Sequence, residues 1–169
     1  MAQSIGVTIT NTQNTNYYAS PSSSSASSLA SNIGESIASV AGVIWNFPNS
    51  VVGATLGLAG VPFGAQVSCC ANNAIQFTNN PLMSSTGAIT LGNVINYGTS
   101  VGANTILDDS GNTMGTHEEQ HTYQGELLGP LYLPSNFLGS TAGLLINGKQ
   151  RGSANWNEAG PYSNPQTPW

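Results

Sequence analysis

His117-Glu118-Glu119-Gln120-His121 holds both histidines of a 169-residue chain. Residues four apart lie one above the other on one face of a helix, so this pair shares an outlook only if the segment is helical. The flanks agree with a helix over 113–128. Asn112 or Thr113 offers a cap at its start, and Gly129-Pro130 stops it. Downstream, 131–146 is largely apolar and reads as a further helix after Pro134, ended by the turn Asn147-Gly148. Beyond Gly152 the chain reads as irregular, with Pro161, Pro165 and Pro168.

Upstream the periodicity changes. Residues 74–79 and 88–97 read as strands, with Ile75 and Phe77, then Ile89, Leu91, Val94, Ile95 and Tyr97. A third strand over 101–107 is an open reading, and 108–112 is a polar loop. Earlier still, Leu29, Ile33, Ile37, Val40 and Ile44 recur at helical spacing, which predicts an amphipathic helix over 27–45. Asn46-Phe47-Pro48-Asn49 ends it. Asn49 or Ser50 then caps a second helix over 51–60, whose glycines and alanines predict close packing against another backbone. Residues 4–10 alternate like a short edge strand, and the serine run 22–25 reads as a flexible linker.

The chemistry lies in the 117–121 motif. Two imidazoles one helical turn apart converge on one Zn²⁺ at about 2.0–2.1 Å. Glu118, next to the first of them, reaches a water at the metal without binding the metal itself. It would take that water's proton and pass it to a leaving amine. This is the HExxH pattern of zinc metallopeptidases. Chance places two histidines and a glutamate so in on the order of one shuffled chain per few thousand, which disfavours two unrelated surface histidines.

A catalytic site with two histidines takes a carboxylate as third ligand. Glu119 lies on another face of the helix. Glu126, five residues past His121, points away by about 140°. Glu35, Asp108, Asp109 and Glu158 remain, Glu158 within Asn155-Trp156-Asn157-Glu158. Tyr123, Tyr132, Tyr162 and Arg151 are candidates to assist an oxyanion. Gln124, Asn155 and Asn157 are candidates to steady the imidazoles through their free ring nitrogens.

Composition narrows the partners. Only 5% of residues are charged, against roughly 25% in an ordinary soluble domain. Lys149 and Arg151 are the two basic residues, and the net charge is -5. That excludes a nucleic-acid partner, which needs clustered cations, and disfavours an anionic membrane surface. No stretch reaches the ~20 apolar residues of a membrane span, and no signal-peptide pattern opens the chain. Export, if it occurs, is expected to use another route. The adjacent Cys69 and Cys70 read as two small core hydrophobes, and their spacing does not suit a zinc thiolate site.

The stretch 117–124, followed by Leu128-Gly129-Pro130-Leu131-Tyr132, resembles a small family of bacterial HExxH proteins. It includes the metallopeptidase toxin domains carried by type VI secretion spike proteins. Asn46-Phe47-Pro48-Asn49, Leu91-Gly92-Asn93-Val94-Ile95 and Asn155-Trp156-Asn157-Glu158 extend the likeness over about 42–158. The resemblance implies a zinc site completed by Glu158. It also implies an antibacterial effector acting on protein or peptide bonds in the periplasm of a target bacterium. A cognate immunity protein and a secretion spike carrier would be its partners. The Ser-rich start lies outside the match.

The fold expected is α+β. It is a minimal zincin-like domain over 29–169, with a small sheet and the HExxH helix, behind a flexible Ser/Asn-rich segment 1–28. Met114 and Leu128 would be buried, and 156–158 would close the cleft. An amidase acting on cell-wall stem peptides would use the same chemistry. The alternative from another class is a noncatalytic secreted binding or structural module with a structural or accidental metal site. A structural zinc predicts four protein ligands.

Overall fold

The structure is a computed structural model and describes residues 8–9, 26–108, 111–149 and 154–169. The linker 22–25, Asp109 and Arg151 lie outside the described residues. Two helices, α1 (Ala26–Trp45) and α2 (Phe47–Gly60), are separated by Asn46. The second begins at Phe47 rather than at 51, because Pro48 falls in its first turn. A proline is tolerated there, where its missing N–H has no helical partner to lose.

A mixed sheet follows: β1 (Thr8–Ile9), β2 (Gln66–Ala71), β3 (Ala74–Thr78), β4 (Ala88–Thr90) and β5 (Val94–Tyr97), in the order β1-β2-β3-β5-β4. Together with the helices it makes the domain α+β. β1 runs parallel to β2, and β3 parallel to β5, while β2–β3 and β4–β5 are antiparallel. The unexpected strand is β2. Asn72 and Asn73, both at positive φ (53° and 55°), make its two-residue turn into β3. Asparagine tolerates that left-handed geometry, which matches the twist of a hairpin.

The single strand expected over 88–97 is two strands. Gly92, at φ 69°, reverses the chain so that Ala88 pairs with Tyr97. No strand forms over 101–107, where a single bridge joins Ile106 to Thr113. Cys69 and Cys70 are not core hydrophobes either. They form a disulfide with each other on β2, where Cys69 is half-buried and Cys70 exposed.

The core gathers Ala74, Ala88, Ile95, Tyr97 and Met114, with Val101, Ala103 and Leu107 packed on it. α2 lies against this sheet through its glycines. A Cβ at Gly57 would stand 2.2 Å from the Phe77 ring, so no larger residue fits there. Burying such a ring contributes roughly 1.5–3 kcal/mol. The chain then forms α3 (Met114–Leu128), a 3-10 turn at Gly129–Leu131, α4 (Tyr132–Asn147) and the short α5 (Trp156–Ala159) in a segment expected to be irregular. Met114 is buried as expected, while Leu128 is only half-buried. The apolar stripe of α1 forms a helix face, but Ile33, Ile37, Val40 and Ile44 remain exposed.

Candidate metal centre

α3 is fixed at its start by a reciprocal cap. The Thr113 hydroxyl accepts from the Thr116 N–H, and the Thr116 hydroxyl accepts from the Thr113 N–H, both at 3.2 Å. Such a cap is worth about 1 kcal/mol. It sets the helix phase that turns His117, Glu118 and His121, each at least 96% buried, toward the end of the sheet. The opposite wall is α5. Asn155 caps it through its side-chain oxygen and packs against Gly139 of α4. Asn157 donates to Ser135 Oγ at 3.2 Å. Those amides fix the direction of Glu158.

Three of the expected ligands come together. Glu158 Oε2 lies 3.3 Å from His117 Nε2 and 3.7 Å from His121 Nε2. One donor atom from each of the three falls within 4.8 Å of the others. Among the described residues, the other carboxylates considered as ligands are elsewhere. Glu35 is exposed on α1, and Asp108 accepts from Asn112 Nδ2 at 2.9 Å. Glu126 accepts from Asn73 and Asn93, each at 2.7 Å. Glu119 accepts from the Tyr123 hydroxyl at 3.1 Å.

Gln124 identifies the tautomer of His121. Its NH₂ donates to the Asn157 carbonyl at 2.7 Å and to that of Pro168. Its Oε1 therefore faces His121 Nδ1, at 2.9 Å, and Nδ1 carries the proton. The lone pair of Nε2 then points toward Glu158. Of the amides expected to steady the imidazoles, Gln124 does so directly. Asn155 and Asn157 act on α5 instead. Gln124→Leu removes the acceptor while keeping the bulk, and should weaken metal binding about 10–100-fold. Titration with a competing chelator measures this, and an unchanged affinity would remove Gln124 from the site.

Burial by itself would raise the Glu158 carboxyl. The His117 and His121 imidazoles, 3.3 and 3.7 Å away, outweigh it and hold the group well below the usual carboxylate range. For His121, burial lowers the pKa, but the neighbouring Glu158 and Glu118 carboxylates carry it above its ordinary value. Both shifts say that this spot attracts positive charge. Glu158 Oε2 and His117 Nδ1 are buried without a hydrogen-bond partner, and such atoms are costly to leave unpaired. A metal ion fits between the three donors on this ground, because it would take up the carboxylate oxygen that no hydrogen bond satisfies.

A cavity of about 270 Å³ opens beside the cluster, lined by Thr90, Leu91, Glu118, Tyr132 and Phe137 among others. Thr90, on β4, was not foreseen. Its hydroxyl donates to Glu118 Oε2 at 2.7 Å and lies 3.1 Å from the Glu118 carbonyl. No local pattern marks this residue, since 28 positions separate it from its partner. Tyr132, buried to 99%, reaches the Thr90 carbonyl at 3.4 Å and accepts from Asn136 at 3.2 Å. Burial first, then the Glu118 charge, push its phenol well above the ordinary range, so it stays a neutral donor. Tyr162 packs its ring 4.5 Å from that of His117. Compared with known proteins, the chain matches no family model, no curated protein and no solved structure.

Proposed function

We propose that the protein is a zinc-dependent metallopeptidase in which His117, His121 and Glu158 hold the metal and Glu118 is the general base. The observation that carries this reading is the convergence of two Nε2 atoms and one carboxylate oxygen beside a cavity that also contains Glu118. Four bonds of about 2.0–2.1 Å at tetrahedral angles separate ligand atoms by roughly 3.3–3.4 Å, close to the observed 3.3 and 3.7 Å. Three protein donors leave one position open, which favours a catalytic over a structural zinc. When bound, the ion would supply Lewis acidity toward a water and a substrate carbonyl.

The chain's own residues do the rest. Thr90 holds Glu118 Oε2, which leaves Oε1 to take a proton from the attacking water and return it to the departing amine. Tyr132 would donate toward a developing oxyanion by releasing its long, 3.4 Å bond to the Thr90 carbonyl. β4 is the last strand of the sheet and lines the cavity with Ala88, Ile89 and Thr90. An extended peptide added along that strand would lie across the metal, which favours a peptide substrate over a compact small molecule.

The resemblance to the type VI secretion toxin domains extends this reading to an exported antibacterial effector that acts in a target periplasm and is restrained by a cognate immunity protein. Periplasmic expression in a Gram-negative host should arrest growth, while cytoplasmic expression or the Glu118→Gln variant should not. Equal growth in all three cases would remove the effector reading.

The peptidase reading is tested by incubating the zinc-loaded chain with unfolded protein and with cell-wall stem peptides, and following new termini by mass spectrometry. Cleavage that stops with a zinc chelator supports it. No cleavage of either class by a fully loaded protein would sink it. Thr90→Val should lower kcat about tenfold while metal content stays constant, because Glu118 then loses its orientation. An unchanged kcat would show that Thr90 does not position the base.

A further inference from the structure

Soluble domains turn large apolar side chains inward and polar ones outward. Two helices here, α2 and α4, do the reverse, and α1 exposes apolar and polar residues alike. α2 buries Asn49, Gly53, Gly57 and Gly60, and a Cβ at Gly53 would stand 2.6 Å from the Leu91 carbonyl. Its large residues face away, with Phe47 63% and Leu58 59% exposed. α4 buries Tyr132, Gly139 and Gly143 and exposes Leu145 (80%) and Ile146 (72%). α1 exposes Ile37 and Ile44 to 64% and 69%. Meanwhile Asn46, Asn80, Asn96, Gln124, Asn155 and Asn157 are fully buried and hydrogen-bonded. Small residues at the helix contacts, large apolar residues outside and paired amides inside are how helices pack in lipid.

We propose that the outer faces of α1, α2 and α4 embed in one leaflet of a lipid bilayer. Charge selects this occupant. Across the three helices the only charged residue is Glu35. A protein partner of defined register is selected by charges at its rim, and these faces offer only Glu35 beside uncharged polar residues such as Asn32, Ser36 and Thr141. The lack of Lys and Arg also excludes attraction by anionic headgroups, so the hydrocarbon itself is the ligand. No single helix among the described residues is long and apolar enough to cross a membrane, and Ser31–Trp45 and Phe47–Phe63 match a span by length and composition only as a pair bent by 59°.

The bend and the inner contacts decide the depth. α2 is already packed on the sheet, so lipid cannot surround it, and the helices lie in the membrane surface rather than across it. α1, α2 and α4 all touch the Gly129–Leu131 turn. Their faces therefore meet near Leu131 and Trp45, both more than half exposed, and tryptophan favours the membrane–water boundary. Phe137 is 71% exposed and also lines the metal-site cavity. Docking in this way sets the mouth of that cavity at the membrane surface.

The test is flotation of the full chain with vesicles of phosphatidylcholine. The protein should rise with the vesicles, equally well at high salt and with or without added phosphatidylglycerol. Changing Ile37, Leu58, Leu145 and Ile146 together to serine should lower partitioning at least about 100-fold, with circular dichroism and bound metal retained. In the wild type, acyl-chain bromine should quench tryptophan emission, and Trp45→Phe should remove most of that quenching. This second readout holds even if the fourfold variant fails to fold. A folded wild type that stays in the aqueous layer overturns the proposal. So does binding that requires anionic lipid, or a lipid-free oligomer that the fourfold variant dissociates. None of these outcomes depends on peptidase activity.

Discussion

Glu118→Gln should retain one metal ion per chain and lose about 10²–10⁴ in kcat. That range is what a positioned general base contributes. The substitution keeps the shape of a side chain that is 97% buried, and its amide oxygen can still accept from the Thr90 hydroxyl, which donates to Oε2 at 2.7 Å. What disappears is an oxygen basic enough to take a proton. Because Glu118 stands outside the three-donor cluster, metal content should not change. The readout is therefore a split: elemental analysis unchanged, turnover lost. A variant that cleaves as fast as wild type would remove Glu118 from the chemistry. One that lost its metal would mean that Glu118 is a ligand after all.

Glu158→Ala should abolish metal binding from a position 37 residues beyond His121. The loss should exceed the 10–100-fold typical of residues that only support a ligand, since the carboxylate would supply a donor and is, among the described residues, the one negative charge that closely approaches both imidazoles. Thermal unfolding gives a second readout. Zinc at about a hundredfold over its Kd should stabilise the wild type by about 2.7 kcal/mol, or roughly 5–10 °C in Tm for a domain of this size. The same zinc should leave the Tm of Glu158→Ala in place. Retention of metal by this variant would assign the third ligand elsewhere.

The parts of the site that were legible in the sequence share a physical basis: they are local. The i, i+4 spacing of His117 and His121, the Thr113 cap and the Gly129 stop lie within one helix, and the structure keeps all of them. Glu158 was one of several open carboxylates until the likeness to a known family pointed to it. Geometry now brings it to the histidines. Thr90 was illegible because its partner is reached only after β4 folds over α3. One strand of the sheet, β2, was missed for a different reason. β2 carries no strong alternation, and the signal that would have found it was the Asn72-Asn73 pair in its turn. The single strand over 88–97 ignored Gly92, where only a residue at ease with positive φ continues the chain. The helices were found, but a periodic apolar stripe marks a face without saying what covers it, and on α1 that face is exposed.

The metal centre itself is tested most directly by elemental analysis of protein purified in chelator-free buffer, wild type beside His121→Ala. About one zinc per wild-type chain, absent from the variant, is the predicted result. A wild type that remains metal-free after incubation with Zn²⁺ would contradict it and leave His117, His121 and Glu158 as a buried ion-pair cluster with no role in hydrolysis.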